Sequence, residues 1–413
     1  MQVRQPLALF LLAVGASAAE AAPQTVFHVP AGQTVVYDTA NGPIIVDDVI
    51  VEAGGTLRIV GQYPLRMRAL QAIRIDGVVD ASGFDALSVA TMNTTNLSEP
   101  GALGAAGGGD GGLGNPNTTI SSPKGGDGAG HFQADGIGGG GGESGVAFSA
   151  FVDLRRGAGG GGGALAPDQP VNSNPSHPAN IGLVAENGHD NAQALGALTL
   201  TLVAHGGRSN ALPFANGNPL DDFWGTKLEL ATGTTFVGEF ASPVPGRGAG
   251  AGGNASRTAS YPHFPFDPTG DQKGAGGGGG GGLAILFGKL IRVGPQGIVR
   301  ANGGKGAAGE NTLFLNRVGG GSGGGSGGFL ILQARKIDLT VAQPHCITAI
   351  GGRGGRGMNN NFDMPGAGGN GGPGVVQLHV SDGLPTQVLL PAGKSIADMT
   401  SPDAHVLMPD PSL

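Results

Sequence analysis

Three stretches of this chain follow one pattern: Leu65 to Gly83, Leu283 to Gly303, and Phe329 to Gly351. Each reads as an alternating strand, a polar step, a second alternating strand, a turn, a third short strand and a glycine. Apolar and polar residues alternate at period two in Thr56–Val60 and Ala72–Ile75, as they do in half-buried strands. A unit this short cannot bury its own apolar face, so it must stack on a copy of itself, and the chain reads as a solenoid. The spacing says how the copies align. Ile285 corresponds to Ile331 and Ile291 to Ile337, an offset of 46, while Ala301 corresponds to Ala349 and Gly303 to Gly351, an offset of 48.

Between the first and second copies the text changes character. Glycine supplies 84 of the 413 residues, about a fifth of the chain where roughly 7% is ordinary. Long runs lie at 107–112 (broken by Asp110), 138–142, 159–163 and 276–282. Two readings compete. The runs are either flexible coil, because glycine loses most entropy on ordering, or extended threefold strands packed side by side as polyglycine-II-like layers, related to polyproline II and bonded between strands. They abut apolar strands at Gly282–Leu283 and Gly328–Phe329 and recur at one phase of the repeat, which favours ordered layers. A Gly-X-Y collagen is excluded.

These shifts divide the chain into an export signal (1–22), N-terminal repeats (23–83), a Gly/Pro/Asn-rich insertion with β islands at 196–207 and 227–240 (84–282), C-terminal repeats (283–390) and a Pro/Asp-rich tail (391–413). The first island, 197–205, looks like one arm of the repeated phrase. The aromatic stretch Tyr261 to Gly270 reads as an ordered surface loop, and the tail is expected to be loosely held. In the first segment Arg4 supplies a positive start, Pro6 to Gly15 an apolar run, and Ala16–Ala18 or Ala19–Ala21 a small-residue cleavage site, the pattern of a secretory signal. That apolar run falls well short of the ~20 residues of a membrane-spanning helix. The mature chain is expected to be secreted or held at the cell surface, with no membrane span. The net charge of −7 argues against nucleic acid as a partner. The single cysteine, Cys346, rules out an intramolecular disulfide and a Cys-based zinc site. It reads as a small buried residue, with a reactive thiol or an intermolecular bridge as the alternative.

Candidate chemistry is sparse. The calcium-binding β-roll repeat needs aspartate at a fixed place after its glycines, but Gly125–His131 offers Gly130 there and the run containing Asp110 has its aspartate out of place. No cofactor is expected; Ca2+ through an irregular set of Asp76, Asp80 or Asp85 is the one metal option. Asp76 and Asp80, four residues apart across Gly77, are the carboxylate candidates if the chain is an enzyme, since sugar-cleaving sites pair carboxylates. A solvated turn is the plainer reading, because later copies place Gly294 and Arg300, then Val341 and Thr348, near those positions. Asp221 and Asp222 stand beside Trp224, the one tryptophan. That trio is the candidate glycan contact, against a buried loop anchor. The nine histidines form no metal-binding spacing, and Gly-x-Ser-x-Gly occurs only inside low-complexity glycine, without the strand-to-helix context of a nucleophile elbow. Glycosylation sequons stand at Asn93, Asn96, Asn117 and Asn254.

Residues 73–83, 290–309 and 319–339 resemble bacterial exported glycine-rich β-helix surface proteins, which pair long glycine runs with Ile-x-Ile-x-Gly-x-Ile-x-Ala-x-Gly-Gly arms. The resemblance covers 44–83 and 276–380 well and the middle poorly. It implies a pectin-lyase-like, right-handed parallel β-helix with surface, adhesive or matrix roles, and it carries over no catalytic residue. The glycine layers are similar to those of bacteriophage tail adhesins. The expectation is therefore an all-β parallel β-helix or solenoid with long glycine-rich inserted segments. Its expected role is structural or adhesive, without catalysis, at extracellular polysaccharide or the cell envelope. The alternatives are a carbohydrate-active β-helix enzyme, lyase or glycosidase, and a glycan-binding module centred on Trp224.

Overall fold

The alternating segments form two sheets in which every pairing is parallel. The computed structural model describes residues 24–89, 99–114, 125–133, 138–142, 155–156, 158–165, 185–194, 201–204, 207–209, 221–254, 273–310, 317–357 and 366–413. The expected export signal, the Tyr261–Gly270 stretch and the sequons at Asn93, Asn96 and Asn117 lie outside them. The N-terminal repeats give β1 (Gln24–Val29) and β2 (Thr34–Asp38), β3 (Ile44–Val51) and β4 (Thr56–Val60), β5 (Leu65–Ile75) and β6 (Val78–Asp80). Among the described residues five short strands belong to the insertion: β7 (Arg155–Arg156), β8 (Asn191–Ala194), β9 (Thr201–Ala204), β10 (Thr226–Leu228) and β11 (Thr235–Val237). The rest of the chain supplies β12 (Leu283–Val293), β13 (Ile298–Arg300), β14 (Arg317–Val318), β15 (Phe329–Asp338), β16 (Ile347–Thr348), β17 (Val375–Val380), β18 (Val388–Leu389), β19 (Thr400–Ser401) and β20 (His405–Leu407).

The larger sheet runs β1-β3-β5-β12-β15-β17-β20, with β18 also paired to β15, and the smaller runs β19-β16-β13-β6-β4-β2. From β1 to β16 each repeat thus contributes one strand to each sheet. Strand β5 pairs directly with β12, so the whole insertion leaves and returns without interrupting the stack. The offsets read in the sequence are the register. Ile285 lies opposite Ile331 and Ile291 opposite Ile337, while Val299 faces Ile347 and Arg300 faces Thr348. Inward residues form continuous ladders, such as Ile44–Met67–Leu286–Leu332–Leu378–Val406 across the larger sheet and Leu57–Val79–Val299–Ile347 across the smaller. Both ladders belong to one buried core, where each fully buried aliphatic side chain contributes about 1.5–3 kcal/mol. The molecule is thus all-β and solenoid-like.

Glycine runs follow a different rule. In 319–328, residues 319, 322, 325 and 328 donate their N–H groups to the carbonyls of 310, 307, 304 and 301. Residues 320, 323 and 326 donate to 253, 250 and 247, and residues 321, 324 and 327 to 366, 369 and 372. The donor direction therefore turns through three neighbours and returns every third residue, as a threefold extended backbone requires. The run also accepts from 275, 278 and 281, from 160 and 163, and from 352 and 355. Run 274–282 repeats the rotation, sending 277 and 280 to 112 and 109, 278 and 281 to 323 and 326, and 279 and 282 to 84 and 81. The runs are buried, and their density depends on missing side chains: a Cβ built on Gly323 would overlap the carbonyl oxygen of Gly161, and one on Gly325 that of Gly279.

Two sequence expectations change here. The tail is not loosely held: β19 and β20 extend the two sheets, and α1 (Ile396–Met399) starts from a reciprocal cap between Ser395 and Asp398. Its prolines and aspartates serve turns and caps, while Met399 and Leu407 are fully buried. The described part of the 197–205 island, β9, is not an arm of the repeat. It pairs antiparallel with β8, and β10 pairs likewise with β11, because a nearby partner closes with little loop entropy.

Candidate functional site

The carboxylate pair is split by its surroundings. Asp76 occupies the corner between β5 and β6, whereas Asp80 lies on β6 in register between Arg58 of β4 and Arg300 of β13. Arg58 Nη1 stands 3.1 Å from Asp80 Oδ1 and Arg300 Nη2 2.9 Å from Oδ2, and the Ser82 amide donates to Oδ1 at 3.0 Å. Burial alone would raise the Asp80 carboxyl; hydrogen bonds from Arg300 and Ser82 and the charges of Arg58 and Arg300 outweigh it and hold the group below the usual carboxylate range. The Arg58 guanidinium also covers the Phe84 ring at 4.2 Å. A carboxylate fixed as an anion by two guanidiniums is a poor proton donor or acceptor. Asp85 is engaged elsewhere, accepting from the Lys305 amide at 2.8 Å. Among the described residues no three His, Cys, Asp or Glu side chains are grouped to hold a metal ion.

Asp221, Asp222 and Trp224 do come together, in a segment laid over the outer face of the larger sheet. Its anchors are Phe240, edge-on to Phe329 at 5.6 Å, and Val244, packed with Leu283, Ile285, Ile331 and Val375. Trp224 is half-buried against the same cluster, bridges to Phe240 through the backbone, and sets its ring 5.9 Å from that of His379. Phe223 is fully buried, with its ring 5.3 Å from that of His405. Burial, then the charges of Glu239 and Asp221, push the Asp222 carboxyl up to about 7. Burial pulls His379 and His405 down to about 4. The geometry is that of an anchor that buries aromatic area, with its acids and imidazoles beneath. Sequence reasoning missed Glu239, His379 and His405, because nothing in one dimension ties them to residue 222.

Charges also enter the glycine layer. Lys273 is almost wholly buried, with its ammonium 3.7 Å from Glu99 and its amide donating to Glu310 at 3.2 Å. His131 Nδ1 lies 2.7 Å from the Pro245 carbonyl and Nε2 3.3 Å from Arg247 Nη2, which fits a neutral ring with its proton on Nδ1. Asn254, read as a sequon, is 1% exposed and its side-chain oxygen accepts from the Gly274 amide. It is a structural cap with no room for a glycan. Cys346 is fully buried in the core, and burial pushes its thiol up to about 11, so it is inert packing.

No protein-family model matches this chain, and no curated protein or solved structure matches it significantly. Among the described residues no helix is long and apolar enough to cross a membrane.

Proposed function

We propose that the protein is an exported structural or adhesive scaffold of the cell surface or extracellular matrix. The two sheets are the faces of one closed parallel β-helix, pectin-lyase-like in form, with polyglycine-II-like layers built from its inter-repeat connections. Right-handed winding follows from the preference of parallel crossovers. The observation that carries this reading is the three-way hydrogen-bond rotation of 319–328. It supports a second rigid body, joined to the stack at Gly282–Leu283 and Gly328–Phe329, whose interior holds backbone instead of a catalytic cleft. The ion-paired Asp80 and the anchoring role of Trp224 point the same way.

The test is an assay of the mature protein on a polysaccharide panel, with and without chelator, beside Asp76→Asn and Asp80→Asn. The scaffold reading expects no chain shortening under any condition. Turnover that disappears in either variant overturns it in favour of a carbohydrate-active enzyme. N-terminal sequencing of protein recovered outside the cell checks export, with a mature start close to Ala19 or Ala22 as the expected result.

A further inference from the structure

The outer face of the larger sheet carries a groove whose charge opposes that of the chain. Strand β5 bulges at Leu70 and Gln71, shifting register against both β3 and β12, and the sheet surface is hollowed beside it. Two hollows, of about 490 and 200 Å3, share Arg68 and Phe287. Arg66, Arg68, Lys289 and Arg335 line them and are exposed. None of the four stands within ion-pair distance of a carboxylate among the described residues. The neighbouring Asp410 turns its carboxylate to Ser412, and its backbone clamps Gln333 at 3.0 Å on both sides of the amide. Four cations that make no ion pair with a described residue, gathered in one groove of a chain with net charge −7, focus the field there.

The cations are interleaved with apolar and amide groups. Arg68 lies over the Phe287 ring at 5.2 Å, Leu70 is exposed beside it, and Lys289 Nζ donates to Gln71 at 2.9 Å. Arg68, Lys289 and Arg335 sit on three successive strands, which lie about 4.8 Å apart, so positive charge recurs at intervals across the stack. Nucleic acid, with a charge about every 1.7 Å of duplex axis, would meet too few cations and a net-negative body. A polymer with one carboxylate per sugar, apolar ring faces and many hydroxyls fits all three groups.

We propose that this groove binds an acidic polysaccharide, a linear chain of carboxylated sugars lying across β5, β12 and β15. The proposal rests on the adhesive reading above and names the chemistry of its partner. The test titrates the mature protein with polygalacturonate oligomers, dextran oligomers and duplex DNA at low and high salt, using calorimetry. Expected are binding of the polyuronate alone, weakening with salt, and a loss of about tenfold or more in affinity for Arg68→Glu/Arg335→Glu. Arg74→Glu, an exposed change on the same strand outside the groove, should bind as the parent does. Dextran or DNA binding as tightly as the polyuronate overturns the proposal, as does an Arg74→Glu variant impaired as much as the double variant. Absence of polyuronate binding by protein with unchanged melting overturns the groove and leaves the scaffold reading standing. Shortening of the polyuronate overturns the scaffold reading alone.

Discussion

The stacked sheets and the glycine layer are ordered by opposite means. In the sheets, side chains specify position: Leu286 fits between Met67 and Leu332 because the ladder needs that volume at that height. In the layer, the absence of side chains specifies position, since carbonyl oxygens occupy the places where Cβ atoms would stand. The first region is held by apolar burial with hydrogen bonds along its edges. The second is held by hydrogen bonds worth about 0.5–1.5 kcal/mol net each, against a backbone ordering cost of about 1–2 kcal/mol per residue. Such a layer does not stand alone. Its runs end directly on β12, β15 and β17, so the sheets fix the ends and shorten the search.

Substitutions at four positions would break or sharpen that contrast. Leu286→Ala should show the largest effect, a loss of about 2–5 kcal/mol in denaturant unfolding, while Leu286→Met should cost less than about 1.5 kcal/mol. Gly325→Ala adds one methyl, the smallest change available, yet should cost about 1–3 kcal/mol through overpacking. An unchanged midpoint for that variant would show that the layer is not close-packed and end the comparison. Asp80→Ala leaves Arg58 and Arg300 facing each other and should cost about 1–2 kcal/mol, discounted because Arg300 is 42% exposed. The folded-state Asp80 carboxyl is depressed, so its stabilisation is present above the unfolded value and lost as pH falls through the folded one. The acid limb of the parent's stability profile should flatten in this variant.

Asp222→Asn should change stability with the opposite sign. The native carboxyl titrates at about 7, above its ordinary value of 3.8. Between those limits the native state binds a proton that the unfolded chain does not, so stability falls as pH rises and levels off beyond the upper limit. The asparagine variant should lack that decline and be more stable than the parent at mildly alkaline pH. His379 and His405, held near 4, act in the opposite sense, losing stability as pH falls below the ordinary histidine value. A melting series across pH in both proteins separates the two slopes.

The ladder was legible because its information is periodic. Offsets of 46 and 48 in the text are physical heights in the stack, so Ile285 and Ile331 could be paired before any coordinates. The phase of the glycine runs was legible for the same reason. What the sequence hid was pairwise and non-periodic. Arg58 and Arg300 are remote from Asp80 in the chain and meet it only through register, so Asp80 read with Asp76 as part of a solvated turn, or alternatively a catalytic pair, whereas it is a buried ion-paired residue. Asn254 looked like a glycosylation site because three letters do not report burial. The tail looked loose because its Pro and Asp content outweighed Met399 and Leu407, two isolated core residues without a period to reveal them. The groove depends on the β5 bulge, which hides in an otherwise alternating string.

The direct pairing of β5 with β12 has a consequence for how the molecule comes into being. Synthesis delivers the first six strands early, and they can stack at once because their contacts are local. The edge of β5 then waits, with a row of unsatisfied amides and carbonyls, for a partner that arrives only after the long insertion has been made. Contacts so distant along the chain form slowly, and an open edge invites association with other chains in the interval. Completion of that single seam is the step expected to limit the rate of folding.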